Sequence, residues 1–330
     1  MKKLMLSIAV IALSVITVAN AETKPTLKVY TYDSFVSEWG PGPQIKTAFE
    51  ENCACILEFV GLADGVSILT RLKIEGKDSR ADVVLGLDNN LMLETKDLNV
   101  LAQHNVDTSM LTVPGGWTDT TFVPFDWGYF AFIYDSEKMA TPPKSLNELI
   151  ESDLSVLYQD PRTSTPGLGL MLWMQAVYGD KTAAKYKTLA THTLTVTPDW
   201  WGAYEMFTSG EADMVLSYST SPAYHVVAEG VTKYKAAAFT EGHYQQIEVA
   251  AITKNTKQPE LAKSFLEFLI SKKAQTIIPV TNWMMPVRSD VTLPEIFSEV
   301  IEVEPLLIDD ETVKANRQTW INSWLEATAK

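Results

Sequence analysis

Phe122-Val123-Pro124-Phe125-Asp126-Trp127-Gly128-Tyr129-Phe130-Ala131-Phe132-Ile133-Tyr134 is the run whose reading decides the fold of this chain. It is extended in character, aromatic, and interrupted by Pro124, which removes a ladder donor near its start. A strand that leaves one sheet for another has these features. Upstream, residues 27–31, 56–60 and 81–86 are short apolar runs that read as strands. Helical spacing separates them, first at Ile45, Ala48 and Phe49, then at Ile68, Leu69 and Leu72, where Asp64 is placed to cap. Downstream, residues 156–159, 214–218 and 247–252 are further strands, and the polar loop 160–167 opens an apolar helix over 168–178. Ala262, Phe265, Phe268 and Leu269 mark another helix, as do Trp320, Ile321, Trp324 and Leu325 near the end. Apolar runs alternating with helical patterns identify an α/β protein. A strand leaving one unit near residue 124 and another returning near 247 describes two lobes. Lobe 1 takes residues 22–123 and 248–330, and lobe 2 takes 124–247. The ligand cleft is expected where strand ends of the two lobes face each other. A two-domain α/β enzyme would leave much the same pattern.

The 330 residues are 46% hydrophobic and 21% charged, which excludes a disordered or fibrous chain and allows a sizeable core. Twenty-seven Lys and Arg stand against 41 Asp and Glu, a net charge of −14 that argues against nucleic acid as a partner. Lys2 and Lys3, an apolar run over 4–18, and Ala19-Asn20-Ala21 have the order of a secretory signal peptide covering residues 1–21. Its removal takes away two lysines and leaves 309 residues with a net charge of −16. No cysteine stands at that cleavage site to carry a lipid, and no later apolar stretch approaches the ~20 residues of a membrane span. The expectation is a soluble exported protein. Cys53 and Cys55 are its only cysteines. A disulfide between them needs a bent backbone. The alternatives are two inert thiols or, with no histidine adjacent in sequence, a catalytic one. Two thiols are too few for a metal site.

Motifs for phosphate-loop NTPases, zinc proteases, serine hydrolases and EF-hands are absent, and His104, His192, His225 and His243 are scattered singly. Nothing in the sequence calls for catalysis. The aromatic residues are more informative, because many stand beside turn signals rather than in periodic stripes. Tyr32 and Trp39 flank Asp33-Ser34-Phe35, and Trp200 and Trp201 come after Pro198-Asp199. Tyr218 and Tyr224 bracket Ser219-Thr220-Ser221-Pro222, and Trp283 comes after Thr281-Asn282. Any one of them could simply cover a strand end. Several together in an acidic exported chain suit a flat or cationic organic ligand, each ring contributing about 0.5–2 kcal/mol. Hydroxyls and free amides in Thr163-Ser164-Thr165-Pro166-Gly167, ahead of a helix, suit an anion or an ordinary helix cap equally well.

Longer stretches carry a family resemblance. Val29-Tyr30-Thr31-Tyr32-Asp33-Ser34-Phe35 with Trp39-Gly40-Pro41-Gly42-Pro43 strongly resembles the thiamine-binding periplasmic proteins of Gram-negative bacteria. So do residues 81–90, 158–170, 216–225 and 282–287, and the Cys53-x-Cys55 pair matches too. The resemblance covers the chain beyond the signal segment and departs most over 291–315. It implies a type II bilobal periplasmic solute-binding protein, similar in fold to thiaminase I and to ferric- and polyamine-binding proteins. Such a protein captures thiamine, thiamine monophosphate or thiamine diphosphate in the periplasm. It delivers them to an ABC permease with a cytoplasmic ATPase, as a monomer, without catalysis, cofactor or metal. The family's ring-holding positions fall on Tyr32, Trp39, Trp200, Tyr218, Tyr224 and Trp283. Asp64 with Gly65, and Ser164, match positions that supply polar contacts, and the hydroxyls of Ser164 and Thr165 are assigned to the ligand's tail.

Three other classes share the shape. A thiaminase-like transferase would use Cys53 or Cys55 as nucleophile, but both stand at the C-terminal end of a helix, where the dipole disfavours a thiolate. A ferric-ion binder would resemble sites with adjacent tyrosines, and no Tyr-Tyr dipeptide occurs. A polyamine binder would suit acid and aromatics but makes poor use of the Thr163–Thr165 hydroxyls.

Overall fold

The computed structural model describes residues 24–329, so the signal-peptide reading lies outside the described residues. Strand β1 (Thr26–Tyr32) lies parallel between β2 (Ile56–Leu62) and β3 (Val83–Asp88). Parallel neighbours need crossovers, and the helices Gly42–Cys53 and Gly65–Glu75 supply them. The chain then adds β4 (Phe122–Asp135), β5 (Val156–Gln159), β6 (Thr193–Thr197), β7 (Met214–Tyr218), β8 (Tyr234–Ala236) and β9 (His243–Ile252). Along the hydrogen-bonded path the order is β2-β1-β3-β9-β4-β7-β5-β6.

The aromatic strand β4 changes partners midway, as its sequence predicts. Its first part, through Tyr129, pairs antiparallel with β9, and from Phe130 to Tyr134 it pairs with β7. Pro124 is accommodated because the register shifts between Pro124 and Asp126, a bulge that tolerates a missing donor. The two lobes are thus joined through β4 and β9, and the cleft lies over that junction.

Several sequence expectations are corrected by packing. The helix expected over 168–178 begins at Thr165, since Pro166 fits a first helical turn. Trp200 and Trp201 are not in a loop: Asp199 accepts a hydrogen bond from the Gly202 N–H at 2.8 Å and starts the helix Trp200–Thr208. Strand β9 starts four residues earlier than its apolar run, because the buried His243, Gln245 and Gln246 are polar and do not read as strand core. Cys53 and Cys55 are paired with their Cα atoms 5.1 Å apart, and the required bend comes from Ala54 at φ +49°.

Residues 248–330, expected in lobe 1, make contacts on both sides of the junction. Pro305–Leu306 pairs with β9 at His243 and Tyr244. The terminal helix Asp310–Thr328 lies against Thr182–His192 of the second lobe as well as Met92–Asp97 of the first. Arg317 meets Glu94 at 2.7 Å on one side, and Trp324 lies under Arg162 on the other. The sequence marks a helix here; which lobe it covers is decided by contact alone.

A candidate ligand cleft between the lobes

A cavity of about 290 Å³ opens over the junction. Its walls are aromatic and come from both sides. Trp39 of the first lobe lies 4.9 Å, ring to ring, from Trp201 and 6.3 Å from Trp200 of the second. Trp39 and Trp201 remain 42% and 43% exposed, far more than core rings, and so present faces to the cleft. At the opposite wall Tyr224 meets Trp283 edge-on at 5.5 Å. Trp283 holds φ +56°, a left-handed conformation that costs a bulky residue about 1–3 kcal/mol. Such an outlier is tolerated where it aims a side chain at a site. Trp200 is steadied from behind, its indole N–H donating to Ser217 Oγ at 2.8 Å and its ring stacking on Tyr204 at 5.0 Å.

The charged residues along the walls are Asp33, Asp64, Asp199 and Glu248, with no Lys, Arg or His among them. Asp64 is 9% exposed and caps its own helix through the Gly65 N–H at 2.7 Å. Across the lobes, the Ser164 hydroxyl donates to its other oxygen, also at 2.7 Å. Burial raises the Asp64 pKa, against the lowering effect of the Ser164 hydroxyl and the Gly65 and Thr165 backbone donors. Tyr32 ends β1 at the cleft floor and donates to Glu248 Oε2 at 2.8 Å. Two glycines make this approach possible. A Cβ on Gly86 would lie 2.3 Å from the Tyr32 ring, and one on Gly65 would lie 2.4 Å from both the Gly86 carbonyl and Thr165 Oγ1.

Of the residues singled out from sequence, Tyr32, Trp39, Asp64, Trp200, Tyr218, Tyr224 and Trp283 line the cavity together. Gly65, Ser164 and Thr165 do not line it. Ser164 and Thr165 are buried just behind, where the Asp64 carboxyl already occupies the Ser164 hydroxyl, and Thr165 Oγ1 has no partner. Sequence reasoning named Trp201 among the turn-side aromatics without giving it a ligand role, and missed Glu248 and Asn282. A signal existed for Glu248, because a carboxylate inside an otherwise apolar strand demands a buried partner.

Known proteins place this geometry in context. The family described as bacterial extracellular solute-binding protein matches residues 57–276. The thiamine-binding periplasmic protein of Salmonella typhimurium is 54% identical over 315 residues, covering 94% of this chain and 96% of that relative. The chain belongs to the thiamine-binding periplasmic proteins. A solved periplasmic thiamin binding protein superposes on this family member with a TM-score of 0.91 at 54% identity, covering 93% of this chain and 97% of that one. A ferric binding protein from Campylobacter jejuni shares the fold alone, with a TM-score of 0.75 at 18% identity over 91% and 99% of the two chains. The fold of this family member is therefore that of the type II periplasmic binding proteins, as the family resemblance implied.

Proposed function

We propose that this protein binds thiamine and its mono- and diphosphate esters between its lobes in the periplasm. It then delivers them, as a monomer, to an ABC permease driven by a cytoplasmic ATPase. The observation that carries the reading is the cleft itself, which has aromatic faces from both lobes, acidic groups and no basic residue along its walls. A flat cation matches it: the aminopyrimidine and thiazolium rings take the stacking faces, and the thiazolium charge is drawn to the carboxylates. Binding is the whole task, with no cofactor. The one cysteine pair is oxidised, which leaves the thiaminase-like reading without a nucleophile. A ferric ion is not favoured, because relatives at 54% identity are thiamine-binding proteins, whereas the ferric binding protein shares only the fold, at 18% identity.

Because the ligand would touch both lobes, it binds the closed state better and shifts the population toward it. Titration with thiamine is expected to quench tryptophan fluorescence and reduce the radius of gyration in X-ray scattering, with spermidine and ferric ion doing neither. Saturable binding of spermidine in preference to thiamine would overturn the reading.

The ligand's tail is assigned to Ser164, Thr165 and the helix N-terminus they open, beside Asp64 and Gly65. Asp64 stands there already, so a phosphate enters only if that carboxyl moves or carries a proton, and its raised pKa favours the proton. Replacing Ser164 and Thr165 together with alanine should weaken thiamine monophosphate about tenfold more than thiamine, the worth of one charge-assisted hydrogen bond. Equal losses for the two ligands would move the tail elsewhere.

A further inference from the structure

Glu248 of β9 and Asp126 of β4 are directly opposite one another in the antiparallel register, beneath the cleft. Both are buried, at 6% and 0% exposure. Like charges facing across a strand pair destabilise a sheet, and among the described residues no cation relieves these two. The groups around them are Tyr32, Asn282 and Gln246, with Asp64 and Tyr218 nearby. Tyr32 donates to Glu248 Oε2 at 2.8 Å, Asn282 Nδ2 donates to Asp126 Oδ2 at 2.7 Å and to that same Glu248 oxygen at 3.3 Å, and Gln246 Nε2 donates to Glu248 Oε1 at 3.2 Å. Asp126 Oδ1 has no partner at all. The bulge between Pro124 and Asp126 is what brings this carboxyl into register with Glu248.

Two carboxylates this close in a buried site do not both stay ionised, so the pair holds one proton between them. Burial raises the pKa of Asp126 to about 7, and burial with the neighbouring Asp126 charge raises that of Glu248 well above the usual carboxylate range. With Tyr32 and Asn282 both donating to Oε2, Glu248 Oε1 is left as an acceptor with room for one more donor. An acceptor there matches the exocyclic amino group of an aminopyrimidine. A thiazolium ring has no such donor.

We propose that Glu248, which lines the cleft and is backed by Asp126, reads the aminopyrimidine edge of the ligand. The shared proton stays between Glu248 and Asp126, and Glu248 Oε1, which takes only the Gln246 donor, would accept from the exocyclic amino group. This assignment rests on the thiamine reading and deepens it: the walls recognise flat cationic rings, and the floor selects the 4-amino heterocycle.

The test is isothermal titration of wild type, Glu248→Met and Glu248→Gln with three cationic ligands. Thiamine carries the aminopyrimidine. Pyrithiamine keeps it and replaces the thiazolium with a pyridinium, and oxythiamine keeps the thiazolium and replaces the amino group with an oxo group. Wild type should prefer thiamine and pyrithiamine over oxythiamine. Glu248→Met should lose about 10- to 100-fold for the first two ligands and less than about 3-fold for oxythiamine, so that the preference collapses. Glu248→Gln still presents a carbonyl acceptor and should recover most of the loss. Equal losses for all three ligands would mean that Glu248 acts on the common cation or on the fold, and would overturn the proposal. So would unchanged thiamine affinity in Glu248→Met, or no recovery in Glu248→Gln. Wild type binding none of the three would instead overturn the thiamine reading.

Discussion

Trp173→Ala is expected to cost about 3–5 kcal/mol of stability, and so to lower the melting temperature by roughly 6–20 °C. Trp173 is fully buried in the second lobe. It stacks on Phe132 and Phe239 and lies 4.8 Å from the His243 ring, and its indole N–H donates to the Gly242 carbonyl at 3.0 Å. Truncation leaves a large cavity walled by rings that cannot collapse into it, and also strands a buried carbonyl. The helix Thr165–Tyr178 that carries Trp173 is pressed onto β4, since a Cβ on Gly169 would fall 2.0 Å from the Phe130 ring. Little relaxation is available from that side. Thermal denaturation monitored by far-ultraviolet circular dichroism checks the figure. A loss below about 1 kcal/mol would show that the second lobe's core does not depend on this ring.

Trp39→Ala should give the opposite signature. Thiamine binding is expected to weaken by about 1–3 kcal/mol, about 5- to 150-fold, because truncation removes a stacking face supplied by the first lobe. Stability should move by less than about 0.5 kcal/mol, since Trp39 is 42% exposed and its ring contacts are Trp200 and Trp201 across the cleft. Trp200 would not separate the two effects so cleanly, because its hydrogen bond to Ser217 and its stacking on Tyr204 tie it into the lobe as well. Calorimetric titration and a melting curve on the same preparation measure both quantities. Unchanged affinity with a large fall in melting temperature would return Trp39 to a packing role.

The sequence alone determined the α/β class and the strand that changes partners, because burial preference and backbone propensity are properties of single residues and short runs. Phe122 to Tyr134 shows its role through composition and Pro124. Asp64 shows its capping role through the helical spacing of Ile68, Leu69 and Leu72 just downstream. Aromatic residues beside turn signals marked much of the cleft wall for the same local reason, although Trp200 and Trp201 proved to begin a helix. What the tertiary structure decided are the pairings. Asp126 and Glu248 become a unit only through the β4–β9 register, and a one-residue slip would have turned one of them away. Asp64 and Ser164 meet, and Trp39 and Trp201 face one another, only because the lobes are brought together across the cleft. The terminal segment reads as a helix from its sequence, yet nothing in its own residues says that it touches both lobes. A side chain's hydropathy fixes whether it seeks cover, whereas its charge state and its work depend on which distant group provides that cover.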